Sequence, residues 1–174
     1  MFYGPPDANS LQLLKWYFTE YPEDASKVVL SIKGAYHFPT HSATGKPDQI
    51  RASVEEALSF LDGVKTIDIF EMARVDPDVP IETSIQALAE FVAAGKIGGI
   101  GLSEVSAATI RRAHAVHPIT AVENELSLTS TTSIGNGVLQ TCRERMCSPP
   151  LVITGLFREF LLTSVWFGQW ELPL

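Results

Sequence analysis

Basic residues are scarce in this sequence, and no run of them occurs. Thirteen Lys and Arg residues stand against 20 Asp and Glu residues, which gives a formal net charge of −7 at pH 7. Nucleic acids and anionic membrane surfaces are bound through basic patches, so both classes of partner are disfavoured. We therefore expect a chain that binds neither nucleic acid nor membrane.

Cysteines and long apolar runs are also scarce. The two cysteines, Cys142 and Cys147, lie near the end of a helical pattern, which is typical of reduced thiols rather than of a disulfide framework. The first seven residues have neither the basic start nor the apolar centre of a signal peptide. The apolar stretch 157–174 contains too many charged and polar residues to span a bilayer. By elimination, the sequence predicts a cytoplasmic protein.

The segments that are present alternate between strand-like and helical patterns. Predicted strands cover residues 28–32, 66–72, 97–102, 120–126 and 151–157. Predicted helices cover 9–21, the stretch from a cap at Asp48 to Gly63, the stretch from Pro80 to Gly95, the stretch from a cap at Ser106 to Pro118, and 136–146. Apolar strands joined by helices and short connections predict a parallel sheet covered by helices. An open doubly wound sheet and a (β/α)8 barrel both fit this order.

Several segments in a fixed order carry a family resemblance. They are Phe2-Tyr3-Gly4, VVLSIKG at 28–34, RVDP at 74–77 and GKIGGIGLSE at 95–104, extended by the helix 106–117, ITAVE at 119–123 and NGVLQTC at 136–142. As an ordered set they resemble the aldo-keto reductases, and within that family they are most similar to fungal pyridoxal reductases, which share an Ala-Arg-Val-Asp-Pro stretch after the fourth strand. The resemblance runs from residue 2 to about residue 142 and continues faintly to residue 163.

The resemblance implies an α/β fold, the (β/α)8 TIM barrel, that reduces carbonyl compounds with NADPH. Tyr3 would follow the second barrel strand, so the predicted strands correspond to strands three to seven, and strands one, two and eight have no counterpart. We therefore expect residues 1–174 to form a partial NADP-dependent oxidoreductase domain with an incomplete barrel, in which residues 147–174 depart from the family pattern. The implied partners are the cofactor NADPH and a small-molecule carbonyl substrate.

The catalytic residues implied by the resemblance are Tyr3 and Lys33. A phenol has an ordinary pKa of about 10, so it donates a proton poorly at neutral pH unless a nearby cation stabilises the phenolate. The aspartate that precedes the family's tyrosine has no counterpart, and Ala73 occupies the family's histidine position. Glu71, two residues earlier, is a substitute acid, a buried partner for Lys33, or a residue that points to the helix layer.

The cofactor residues implied by the resemblance are Ser103, Glu104, Glu123 and Arg158. Ser103 matches a residue that holds the nicotinamide carboxamide, and Glu104 stands where many members carry Asn. Glu123 replaces a glutamine with the same task, and a carboxylate accepts from the amide NH2 but cannot donate to its carbonyl. Arg158 belongs to the run after strand seven, in which the family's stacking tyrosine is missing.

Other groups of residues in the sequence do not indicate a functional site. His37 with His41, and His114 with His117, have spacings that a metal ion can use, but no Cys or carboxylate completes either set. We interpret these histidines as solvated and expect no metal. The string that begins at Gly99 lacks the third glycine of a GxGxxG motif and fits a strand better.

Two hypotheses for the function remain open. The first is an NADPH-dependent reductase that acts on pyridoxal or a similar aromatic aldehyde. The second is a non-catalytic remnant or gene-model fragment of such a reductase, because three missing strands would leave strands three and seven as open edges prone to aggregation or to pairing with another chain. The oligomeric state is also left open.

Overall fold

The computed structural model describes residues 4–5, 7–126 and 130–144, and the backbone of residues 165–167. The strands are β1 (Val28–Gly34), β2 (Tyr36–His37), β3 (Ser42–Ala43), β4 (Ile67–Met72), β5 (Ile97–Ser103), β6 (Ile119–Glu123) and β7 (Val165–Phe167). The α-helices are α1 (Ser10–Glu20), α2 (Pro47–Leu61), α3 (Ile81–Ala93), α4 (Ala107–Val116), α5 (Thr132–Gly135) and α6 (Val138–Glu144), with 3-10 turns at Pro22–Asp24 and Phe38–Thr40.

The main sheet has the strand order β6-β5-β4-β1-β7. Strands β1, β4, β5 and β6 are parallel to one another, and helices α2, α3 and α4 connect them in turn. The predicted parallel α/β architecture is therefore confirmed. Strand β7 differs from the all-parallel prediction, because it pairs antiparallel with the outer edge of β1 and so satisfies backbone groups there. The predicted strand 151–157 lies outside the described residues.

Local signals in the sequence explain where the helices begin. Asn9 caps α1: its side chain accepts from the backbone N–H groups of Leu11 and Gln12, and the Gln12 side chain accepts from the Asn9 N–H. The predicted Asp48 cap is wrong, because α2 begins at Pro47 and Asp48 lies in its first turn. Proline suits the first helical position, where its missing N–H has no partner to lose.

The connection from β1 to α2 contains the antiparallel pair of β2 and β3, which the sequence pattern did not predict. Its base is fixed to the connection after β4. The Gly45 N–H donates to Asp76 Oδ2 at 2.8 Å, and the Ser84 hydroxyl donates to the Gly45 carbonyl at 2.7 Å. A Cβ atom at residue 45 would come within 2.6 Å of Asp76 Cβ, so glycine is required for this close approach. The connection between β1 and α2 is thereby held against the connection between β4 and α3.

The core lies between the sheet and its helices. Alternate strand residues face the helices and are almost fully buried: Leu30, Ile32, Phe70, Met72, Ile100, Leu102 and Val122. Side chains of a strand alternate between its two faces. The intervening residues therefore lie on the opposite face, and they include Ser31, Lys33, Glu71, Ser103 and Glu123. No helix in the described ranges is long and apolar enough to cross a membrane.

Candidate active site

The site is built from the carboxyl-terminal residues of four parallel strands. In the sheet register Lys33 lies opposite Glu71, Glu71 opposite Gly101, and Ser103 opposite Glu123. Each of these residues lies at or close to the carboxyl end of its strand. Because neighbours in register share a face, the structure brings these predicted residues together on the side away from the helices. We call this side the interior face.

An ion pair joins the two outermost of these strands. Lys33 Nζ contacts Glu123 Oε1, and the two side chains are only 12% and 8% exposed. Strands β4 and β5 lie between β1 and β6. On a flat sheet three strand spacings amount to about 14 Å, a span that only fully extended side chains could bridge. The ion pair therefore fits a sheet that curves around the interior face, as the strands of a barrel do.

Glu71 lies on the interior face and not against the helix layer, so one of the open interpretations is excluded. Its side chain is 1% exposed. Oε1 accepts a hydrogen bond from the Ser31 hydroxyl at 2.5 Å, and Oε2 has no hydrogen-bond partner among the described residues. Gly101 provides the space, since a Cβ atom there would lie 2.2 Å from Glu71 Cγ.

The environment of Glu71 disfavours its ionised form. Burial raises its pKa from 4.5 to about 7, and the negative charge of Glu123 contributes in the same direction. The Ser31 hydrogen bond and the positive charge of Lys33 oppose this shift without cancelling it. The site therefore contains one ammonium group and two carboxyl groups, of which Glu71 holds its proton more tightly than an ordinary glutamate.

Ser103 is the last residue of β5, and Glu104 follows it in a different environment. Ser103 is 1% exposed, and its Oγ lies 3.5 Å from Arg74 Nη1, which also donates to the Ala73 carbonyl at 2.5 Å. Glu104 is exposed and adopts a left-handed backbone conformation with φ 53°. Its carboxylate accepts from the Glu125 N–H at 2.8 Å. Glu104 thus stabilises the loop after β6, while Ser103 faces the interior.

Two residues of the site were not predicted. Asn124 is buried and clamps the ends of β5 and β6, because its side chain accepts from the Val105 N–H at 3.2 Å and donates to the Val105 carbonyl at 3.1 Å. Ser31 supports Glu71. The signal for Ser31 is a single hydroxyl within the apolar run VVLSIKG, and the signal for Asn124 is an amide directly after a strand.

A surface cleft of about 970 Å³ opens next to the strand ends. It lies between the β2–β3 hairpin and the connection after β4, and its lining includes Tyr36, His37, Lys46 and Arg74. The predicted residues Tyr3 and Arg158 lie outside the described part of the chain. Within that part, no three His, Cys, Asp or Glu side chains are grouped so that they could hold a metal ion.

Comparisons with known proteins support the family resemblance. The Aldo/keto reductase family model matches residues 1–156. A Schizosaccharomyces pombe protein named as a probable pyridoxal reductase is 48% identical over 165 residues, which cover 94% of this chain and 49% of that protein. A Saccharomyces cerevisiae protein whose name gives the same activity is 39% identical over 174 residues, with 91% and 49% coverage.

The structural comparison supports the barrel fold. The glycerol dehydrogenase of Gluconobacter oxydans superposes with a TM-score of 0.58 at 23% identity, over 69% of this chain and 38% of that one. At this identity the likeness concerns the fold alone, and it confirms that the described strands and helices are part of a (β/α)8 barrel. The chain spans about half the length of the curated relatives it matches. It belongs to the aldo/keto reductase family.

Proposed function

We propose that the chain carries the active site of a cytoplasmic, NADPH-dependent reductase that converts pyridoxal or a similar aromatic aldehyde to the alcohol. The observation that carries this proposal is the buried Lys33–Glu123 ion pair at the carboxyl ends of the strands. Active sites of (β/α)8 barrels form at this end of the barrel. The names of the S. pombe and S. cerevisiae relatives support the substrate class.

Lys33 has the role of stabilising negative charge during proton transfer. Reduction of an aldehyde adds a hydride to the carbonyl carbon and a proton to the carbonyl oxygen. When bound, NADPH supplies the hydride. Tyr3 donates the proton, and the Lys33 ammonium stabilises the phenolate that remains. Glu123 holds Lys33 toward the interior, so the ammonium group stays at a fixed position and partly shielded from water.

The donor set on β5 and β6 suits a nicotinamide carboxamide. Ser103 and Glu123 are opposite each other in the register and lie side by side on the interior face. The Ser103 hydroxyl can donate to the amide carbonyl, and the Glu123 carboxylate can accept from the amide NH2. These two residues would hold the nicotinamide end of the cofactor. Glu104 and Arg158 remain predicted cofactor residues, and Glu104 would first have to release the Glu125 N–H.

The cleft beside Arg74 provides the substrate entrance in this proposal. Arg74 lines the cleft and also lies 3.5 Å from Ser103 Oγ, so it connects the cleft with the proposed nicotinamide site. Ala73 stands where the family has a histidine and brings only a methyl group, so it leaves room but offers no hydrogen-bond donor. In this proposal the Arg74 guanidinium supplies a hydrogen-bond donor for the carbonyl oxygen.

The test measures NADPH consumption by the purified chain with pyridoxal and a panel of other aldehydes. Lys33→Met should lower kcat by about 100-fold or more, because proton-transfer groups contribute at least this factor. Lys27→Met is the matched control, since Lys27 is an exposed lysine that pairs with Asp24. Turnover unaffected by Lys33→Met would contradict the proposed role, and a folded chain that consumes no NADPH with any aldehyde would favour a non-catalytic member of the family.

A further inference from the structure

Among the described residues, the buried cluster on the interior face consists of two carboxyl groups and one cation. Lys33, Glu71 and Glu123 are all buried or nearly so, and Lys33 makes its ion pair with Glu123. Glu71 is the register partner of Lys33 on the neighbouring strand. No described group donates a hydrogen bond to its buried Oε2, and a side-chain hydrogen bond with Glu123 contributes to the raised pKa of Glu71. An unpartnered oxygen of an ionised carboxylate is costly at such a depth.

A proton on Glu71 removes this imbalance. If all three groups were ionised, the buried cluster would carry a net charge of −1. If one carboxyl group keeps a proton, the cluster is neutral, which burial favours. Glu123 contacts the ammonium, whereas Glu71 lies deeper and is the carboxyl group whose pKa is raised. Since Glu71 Oε1 already accepts from Ser31, Oε2 is the oxygen that carries the proton.

We propose that Glu71 is a positioning residue that keeps one proton next to Lys33. When a ligand binds Glu123 and separates it from Lys33, Glu71 becomes the ion-pair partner of Lys33. The proposal deepens the proposed function and rests on it for its catalytic meaning. A ligand N–H group that binds Glu123, such as a carboxamide, would release the Lys33 ammonium from it. Glu71 then loses its proton to water and pairs with Lys33. One proton is therefore released for each ligand molecule that binds Glu123.

The groups around Glu71 agree with this exchange. Lys33 and Ser31 face it from β1, and Glu123 acts on it from β6. On β5 the opposite residue is Gly101, which has no side chain. The pKa of Glu71, raised to about 7 mainly by burial, puts its ionisation within reach of small changes in its surroundings.

Infrared spectroscopy of the whole chain tests the stored proton directly. At pH 6 and above, exposed Asp and Glu side chains are ionised, so a carboxylic acid carbonyl band identifies a buried protonated group. The band should be present at pH 6, fade toward pH 9, and be absent in Glu71→Gln. Glu55→Gln, which removes an exposed glutamate on α2, is the matched control and should keep the band. A band that survives Glu71→Gln, or no band in the wild-type chain at pH 6, would overturn the proposal.

Two further variants test the partner exchange by shifts of opposite sign. In Glu123→Gln, Lys33 has Glu71 as its remaining carboxylate partner. The pH at which the carbonyl band is half lost should therefore move down by about one pH unit or more. Lys33→Met removes the cation, so the midpoint should move up. If the band is half lost at the same pH in Glu123→Gln and in Lys33→Met, the exchange of partners is rejected. Because the band is measured without substrate or cofactor, it remains informative if the aldehyde assay fails.

Discussion

The two faces of the sheet are built by the same strands but obey different physical rules. Toward the helices, residues such as Leu30, Phe70 and Ile100 are fully buried apolar side chains. Toward the interior, the adjacent positions hold Lys33 and Glu71, one a cation and the other a carboxyl group. Alternation along a strand allows one segment to supply both the core and the site. A substitution on one face should therefore be felt differently from a substitution on the other.

The two faces differ in the interactions that stabilise them. On the helix face, stability follows the apolar area removed from water, and each side chain contributes largely by itself. On the interior face, charges and hydrogen bonds must be satisfied as a set, so the effect of one residue depends on pH and on its neighbours. Four substitutions, ordered from the largest expected effect to the smallest, sharpen this comparison.

Phe70→Ala should cause the largest loss of stability. Phe70 is fully buried on the helix face, and its ring occupies the space in front of Gly34. Removal of a buried phenylalanine ring costs about 3–5 kcal/mol in free energy of unfolding. Urea denaturation gives this value, and the loss should be the same at pH 5 and pH 8. Trp16→Ala, at a 57% exposed aromatic on α1, is the control and should change stability far less.

Glu71→Gln should instead change how stability depends on pH. The pKa of Glu71 is about 7 in the folded chain, against an ordinary value of 4.5, so between these two values the folded state binds more protons than the unfolded state. The contribution of Glu71 is thus fully present below about pH 4.5 and is lost as pH rises through about 7. The loss amounts to about 3 kcal/mol. Urea denaturation at several pH values should show a stability curve that falls less steeply in Glu71→Gln than in the wild-type chain, and parallel curves would reject the assignment.

Gly101→Ala tests the packing beneath the charges. The added methyl group would lie 2.2 Å from Glu71 Cγ, so Glu71 or the strand must move. Overpacking of this kind costs about 1–3 kcal/mol. If the contact with Glu71 is the cause, Gly101→Ala should cost less in a Glu71→Ala background than in the wild-type chain, so the loss in the double variant should be less than the sum of the two single losses. Gly135→Ala, where an added Cβ meets nothing within 4 Å, is the matched control and should be close to neutral.

Features that depend on nearby residues could be predicted from the sequence. The apolar runs predicted β1, β4, β5 and β6 to within a few residues, because buried parallel strands are rich in apolar side chains. The assignment of Lys33 to the site came from the family resemblance and stays a prediction. The Asn9 and Ser106 caps lie at the helix starts that their short polar side chains favour.

Features that depend on the curvature of the sheet could not be predicted in this way. The Lys33–Glu123 ion pair joins residues 90 positions apart, on strands that are not neighbours in the sheet. The resemblance assigned Glu123 to the cofactor, and nothing in its spacing indicated Lys33 as a partner. The Asn124 clamp likewise depends on where the ends of β5 and β6 meet.

Glu82→Gln should have the smallest effect, although it breaks a well-formed ion pair. Arg112 donates to both Glu82 oxygens at 2.6 and 2.7 Å, which connects α3 with α4 and lowers the pKa of Glu82. Both side chains are about half exposed, so water and salt screen the pair. Denaturation with and without added salt should show a minor loss that salt removes, whereas Lys33→Met at the buried pair should lose stability at any salt concentration. Equal losses of stability for the two pairs would contradict the comparison, because burial of the Lys33–Glu123 pair would then make no difference to its contribution.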